Sequence, residues 1–310
     1  MRNSFPTVGV VGAGELARMM VGPAAALGID LLFLAEDEND PAAIIAHHVV
    51  GENRELETIR EFAKKCDVLT FITEDIPYSV IRTLEAEGVT IRPGSREFAA
   101  HSAKDYLSDI PKSNVIEISA LVARSPHGQA AAWAITLVGR ENDRSVWTET
   151  PAPGISGDLA NDAQKLALDV ARECLLAGVM SVVMHVSGSE IFVNQVSMGL
   201  HENGNWTVEG SRTSQFEQHL RAILDLPLGD TAMSSDFAVV GNVFGGEKSD
   251  MYRPYLHLMA RSPGLKFHQS RTEVLSGRKI GHVSAVGENI LDLRECITHA
   301  VDYMSGEIDE

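Results

Sequence analysis

TVGVVGAGELARMM, running from Thr7 to Met20, decides the fold. A β-branched run over 7–11 passes through a Gly-x-Gly turn at Gly12 and Gly14 directly into a segment with helical apolar spacing, which is the start of a strand–turn–helix unit. Working outward, further strand-type runs lie at 31–35, 68–72 and 89–91, with amphipathic segments near 16–27, 56–65 and 78–87 between them. Strands that alternate with helices pair in parallel through right-handed crossovers, so a doubly wound sheet is expected over 1–103.

After Ile110 the pattern changes. Strands are expected at 116–124, 130–137 and 145–150, a long helix at 158–176, and a hairpin of 180–186 with 190–196 turning at 187–189. A helix over an antiparallel sheet makes an α+β layer, assigned to 104–236 and closed by a helix at 214–224 that stops before Pro227 and Gly229. Strands at 238–244 and 279–286 and a last helix at 291–303 make a small C-terminal β-rich domain, 237–310. The fold class is therefore α/β, with a parallel N-terminal sheet followed by two further units.

Composition narrows the function classes. Against 43 Asp and Glu there are 26 Lys and Arg, a net charge of −17 with no Lys/Arg-rich run, so nucleic acid and anionic membrane surfaces are excluded as partners. The apolar stretch over 17–35 is interrupted by Arg18, Gly22, Pro23, Gly28 and Asp30 and cannot span a bilayer. With no secretory pattern at the N-terminal run, a cytoplasmic protein is expected. Cys66, Cys174 and Cys296 are widely spaced and odd in number, which suits reduced thiols better than disulfides or zinc.

Four local motifs carry chemistry, each with a plainer alternative. Gly12, Gly14 and the following Glu15-Leu16-Ala17 let backbone approach a phosphate, with Glu36 placed for a ribose hydroxyl; the same glycines serve a tight turn that binds nothing. Glu74-Asp75-Ile76-Pro77 sits past a strand end, where its carboxylate suits ribose hydroxyls or where Asp75 caps the next helix. The polar run from His201 through Glu202, Asn203 and Asn205 suits a ligand or is a loop entering a helix. Arg278-Lys279-Ile280-Gly281-His282 suits a phosphate monoester or is a solvated basic turn. His47-His48 lacks ligand spacing.

Taken in order, GAGELARMM at 12–20, DPAA at 40–43, KCD at 65–67, EDIP at 74–77, ISALVAR at 118–124, WTVEGSRTSQFEQHLR at 206–221, LPLGDT at 226–231 and RKIGHV at 278–283 resemble the N5-carboxyaminoimidazole ribonucleotide synthetases. These are ATP-grasp ligases of purine biosynthesis. The resemblance implies a pre-ATP-grasp domain, an ATP-grasp domain, ATP and magnesium as cofactors, a ribonucleotide substrate and a possible homodimer. It places Gly12, Gly14, Glu15, Leu16, Glu74, His201, Arg278, Lys279 and His282 on the ribonucleotide side, with Glu15 where the family usually has glutamine. Lys104 is the one position left for ATP phosphate.

The resemblance also exposes losses. About ten residues join Lys104 to the strand at 116–124, where the family holds a lid subdomain; such a linker reaches at most ~35 Å and has no room for a sheet and phosphate loop. The ATP-grasp domain is thus expected to be truncated. The family's two magnesium carboxylates fall on Val183 and Gln195, beside a retained Asn194, and its Arg-Pro-His-Asn-Ser-Gly-His stretch becomes 199–205, beginning at Gly199. A protein that binds the ribonucleotide but is impaired in ATP-dependent chemistry is expected. The alternatives are a working ligase with metal on Glu202 or Glu190, an NAD-binding oxidoreductase, and a non-catalytic partner of an intact synthetase.

Overall fold

In the computed structural model, residues 5–72, 76–102, 115–142, 144–246 and 250–308 are described. The N-terminal part runs β1 (Thr7–Val11), α1 (Glu15–Met19), α2 (Val21–Leu27), β2 (Asp30–Ala35), β3 (His48–Val50), α3 (Leu56–Ala63), β4 (Val68–Phe71), α4 (Tyr78–Ala86) and α5 (Ser95–Ser102). Its strands form a parallel sheet in the order β3-β2-β1-β4. Because successive side chains on a strand point to opposite faces, Val8, Val10, Phe33 and Ala35 pack with α1 and α2, while Val11, Leu34, Leu69 and Phe71 pack with α3 and α4. The doubly wound expectation is met.

Three local expectations are corrected. The single helix expected near 16–27 is two, broken at Met20, because Pro23 has no N–H to give the carbonyl four residues back. The strand expected at 89–91 is only a bridge of Ile91 to Leu69, ended by Pro93, which cannot continue the ladder. The N-cap position of helix α4 is Pro77, which makes no side-chain capping bond, and Glu74 and Asp75 lie outside the described residues.

The rest of the chain builds one nine-stranded antiparallel sheet, in the order β10-β9-β5-β7-β8-β11-β13-β12 with β6 on β5. Its elements are β5 (Ile116–Arg124), β6 (Ala130–Ala132), β7 (Thr136–Glu141), β8 (Arg144–Thr150), α6 (Gly157–Glu173), β9 (Gly178–Ser187), β10 (Glu190–Met198), α7 (Thr207–Gly210), α8 (Gln215–Ile223), β11 (Phe237–Phe244), α9 (Arg253–Arg261), β12 (Lys266–Gln269), β13 (Lys279–Gly287) and α10 (Ile290–Ser305). The expected boundary at 236 falls inside this sheet, since β8 pairs with β11 and the C-terminal strands continue it. The strand expected over 130–137 is split into β6 and β7 where Trp133 turns inward and its indole N–H donates to the Thr213 carbonyl at 3.0 Å.

Helix α6 starts on Ser156, whose hydroxyl accepts the Leu159 N–H at 3.3 Å, and lays Ala163, Ala167, Val170 and Ala171 on β5 and β9. Helix α8 reaches the other way. Its Phe216, Leu220 and Ile223 enter the N-terminal core beside Val8, Val10 and Phe33, so that sheet's cover is partly supplied from far downstream in the chain.

Across the sheet, buried Glu149 accepts from Arg294 of α10, with Nη2 to Oε2 at 2.7 Å. Removing the cation strands a buried carboxylate. We expect Arg294→Ala to cost about 2 kcal/mol, the low end for such a loss because the arginine is half exposed, and Arg294→Ala with Glu149→Gln to recover most of it in urea unfolding.

Candidate functional site

A cleft of about 530 Å3 opens beyond the C-terminal ends of β1 and β2, where open parallel sheets bind ligands. Distant parts of the chain meet there: Gly12, Gly14, Glu15, Leu16 and Glu36 from the first two strand ends, Ile72 after β4, Met198, Leu200, His201 and Glu202 at and after the end of the hairpin, and Lys279 from the start of β13.

The turn at its floor separates the two glycines. Gly12 has φ +103°, a backbone that only glycine adopts without strain, and its N–H bonds the Leu34 carbonyl at 3.0 Å. Gly14 has an ordinary φ of −72°, and a Cβ there would meet nothing within 4 Å. The tight turn therefore accounts for Gly12 alone; at Gly14 the open space belongs to the cleft.

Glu15 is the electrostatic centre. Its Oε1 accepts from His282 Nδ1 at 2.8 Å and its Oε2 lies 3.4 Å from Lys279 Nζ, which is 3.0 Å from Glu202 Oε2. Burial by itself raises the Glu15 pKa, but the His282 hydrogen bond and the Lys279 charge outweigh it and hold the carboxyl at about 2. Burial pushes the His282 imidazole below its usual value against the pull of Glu15. His282 stacks on His268 at 4.5 Å between centroids, and Glu209 anchors that ring by accepting from His268 Nε2 at 2.9 Å and from the Ser284 hydroxyl at 2.8 Å.

His201 lines the same cleft, its backbone clamped by buried Gln215, which accepts the His201 N–H at 3.1 Å and donates to its carbonyl at 2.7 Å. Arg278 is exposed and is not among the lining residues. Glu74 and Lys104 lie outside the described residues. Asn53 and Asp40 also line the cleft without having been singled out as ligands. Asp40 Oδ2 accepts the N–H groups of Glu36 and Asp37 at 3.0 and 3.2 Å and so shapes the loop after β2. Asn53 is buried with its Oδ1 unpartnered among the described residues; it stands in the loop after the short β3, where no sequence motif marks it.

The positions implied for magnesium are direct cross-strand neighbours, Val183 on β9 opposite Gln195 on β10. Val183 is fully buried and apolar, and Gln195 gives its Nε2 to Ser197 Oγ at 3.1 Å. Asn194 sits at the irregularity where the β9–β10 register shifts. On the same face, one rung along, Glu117 already bonds Arg140 Nε at 2.7 Å and His185 Nε2 at 3.2 Å. Magnesium takes hard anionic oxygens, so this donor set does not fit it. Gly199 has φ +93°, a left-handed backbone in which any larger side chain is strained.

Residues 5–101 match the family model of the ribonucleotide synthetase preATP-grasp domain, and 113–216 that of the ATP-grasp domain. The chain is 31% identical to the N5-carboxyaminoimidazole ribonucleotide synthase of Mycobacterium bovis, covering 97% of this chain and 88% of that one. Against the Mycobacterium leprae synthase the figures are 32%, 97% and 89%. Those alignments run over 377 and 392 residues, more than the 310 present here, so the relatives carry aligned segments without a counterpart in this chain. The crystal structure of the Aspergillus clavatus N5-carboxyaminoimidazole synthase, in complex with ADP and 5-aminoimidazole ribonucleotide, shares the fold. It has a TM-score of 0.85 at 22% identity, with 97% of this chain and 99% of that one covered.

Proposed function

Since this chain belongs to the N5-carboxyaminoimidazole ribonucleotide synthase family, we propose that it keeps a ribonucleotide cleft of the family's kind and has lost the ATP-dependent carboxylation. The cleft supports the first half. Gly14 leaves room at the strand end, Glu36 offers acceptor oxygens suited to ribose hydroxyls, and His201 lines the cleft with its backbone clamped by Gln215.

The second half is carried by one observation: Val183 faces Gln195 where two carboxylates are needed. The family's ligases phosphorylate bicarbonate with ATP, and the charge on the transferring phosphoryl group is then balanced mainly by cations. Val183 offers no ligand atom, Gln195 offers no charge, and Glu117 is engaged by Arg140 and His185. Cation stabilisation of that kind is worth several kcal/mol, so its loss alone lowers the rate by about a thousandfold or more. A rebuilt metal site on Glu202 or Glu190 gains no support, because Glu202 is paired with Lys279 and Glu190 is exposed at the hairpin turn. The oxidoreductase alternative is set aside, since both domain matches and the relatives belong to ligases.

The decisive experiment measures ADP release with magnesium, bicarbonate and 5-aminoimidazole ribonucleotide, alongside thermal stability in the ribonucleotide alone. Stabilisation by the ribonucleotide at high concentration, without ADP release above the protein-free rate, is the expected pair of results. ADP release that rises in step with added ribonucleotide would overturn the proposal.

A further inference from the structure

A second cleft, of about 550 Å3, lies where the segment from Glu85 to Glu97 meets the nine-stranded sheet at Arg124, Pro126, Leu175 and Ala177. It shares no lining residue with the cleft around Glu15. It is also remote from the positions implied for magnesium, because Arg124 ends β5 seven residues after Glu117, about 23 Å away along an extended strand.

Three of the chain's 26 cationic side chains, Arg92, Arg96 and Arg124, line this one cleft in a protein of net charge −17. Its two carboxylates are directed elsewhere. Glu85 accepts the Ser95 N–H at 3.0 Å together with the Ser95 hydroxyl, and Glu97 accepts the Gly94 N–H at 3.1 Å, so both hold the turn that starts α5. Among the described residues no ion pair joins any of the three arginines to a carboxylate.

The guanidinium groups keep donors to spare. Arg92 gives one amino group to the Ile223 carbonyl at 2.5 Å, and Arg124 gives Nη1 to the carbonyls of Leu176 at 2.9 Å and Ser125 at 3.3 Å. Both are thereby anchored, with their other N–H groups uncommitted among the described residues. Arg96 is exposed, bonds no described residue and stands in the first turn of α5, the end of a helix at which the dipole disfavours a cation. Planar forks of N–H donors match phosphate and carboxylate oxygens, and an anion placed among like charges relieves their repulsion. Val89, Ile91 and Leu175 give the cleft an apolar side, and its volume is that of small-molecule sites.

We propose that this cleft is a second ligand site, taking a small polyanion whose phosphate or carboxylate groups bridge Arg92 and Arg96 of the N-terminal part to Arg124 of the sheet. Bound there, the ligand fastens the two parts to each other and stabilises them together.

The test follows thermal unfolding of the full chain in pyrophosphate and in citrate, each against sodium chloride of equal ionic strength, with and without 5-aminoimidazole ribonucleotide. A higher melting temperature than in chloride is expected at about millimolar anion, and the ribonucleotide is expected to leave that rise in place. A response to pyrophosphate alone assigns the site to phosphates, and one to citrate alone assigns it to carboxylates. By calorimetry the anion should bind about tenfold more weakly to Arg96→Ala, a substitution that removes no bond to a described residue and should leave the fold intact. Stabilisation no greater than in chloride overturns the inference, as does equal affinity for the parent and Arg96→Ala. A response that the ribonucleotide abolishes and Arg96→Ala leaves unchanged puts the anion at Lys279, which defeats this inference while the ribonucleotide reading stands.

Discussion

Acidification from pH 7 to pH 4 is expected to remove about 3 kcal/mol of stability through His219 alone. The Val179 N–H donates to His219 Nδ1 at 3.2 Å, so the ring proton is on Nε2, which donates to the Thr70 hydroxyl at 2.8 Å. A second proton would have to sit on Nδ1, facing that N–H in a fully buried site. Burial lowers the pKa to about 4 from an ordinary 6.5. In the unfolded chain His219 takes its proton near 6.5. The contribution is therefore fully present above 6.5 and is lost as the pH falls towards 4, where the folded form also titrates. Glu15 acts in a lower window, because its carboxyl is held down at about 2: its contribution is present above 4.5 and lost between 4.5 and 2. Urea unfolding at intervals from pH 7.5 to 4 should show the decline, and His219→Gln should flatten it while keeping a donor for Thr70. A free energy that stays level between pH 6.5 and 4 would refute this account of His219.

How far the sequence could be read depended on the range of the interactions. Strand β1 and its turn were legible because both signals, the β-branched run and Gly12, are local. The split at Met20 hung on one missing N–H at Pro23, which apolar spacing does not register. Helix α9 was missed because it is short and buries only Pro254 and Leu258, while Leu256 and Met259 are exposed, so its apolar residues do not fall on one face. In the candidate site, Glu15, His201, Lys279 and His282 were picked out from short motifs, but the pairing of Glu15 with His282 spans 267 residues and has no local trace. That pairing fixes Glu15 with its other oxygen 3.4 Å from Lys279, an arrangement that no single motif contains. Asn53 was invisible for a simpler reason: an isolated asparagine in a loop carries no period and no spacing.

Phe216→Ala is expected to cost about 3–5 kcal/mol and to weaken both halves of the molecule together. Phe216 is fully buried on α8, a helix that follows the central strands in sequence yet shares a core with Val8, Val10, Ala17, Met20 and Phe33 of the N-terminal part. The same junction is tied by the Arg92 guanidinium, which donates to the Ile223 carbonyl at 2.5 Å, and by His219 between Thr70 and Val179. Deleting the ring leaves a cavity between two layers that are each rigid and cannot close it by collapse. Leu200, at the cleft wall, belongs to that core, so loosening it should reduce ligand-induced stabilisation as well as thermal stability. Tyr252→Ala, at a ring exposed to solvent, is the matched control and should lie within about 0.5 kcal/mol of the parent. If Phe216→Ala instead produced two separated unfolding transitions, with the nine-stranded sheet melting at its original temperature, the N-terminal sheet would not depend on α8 as the shared core requires.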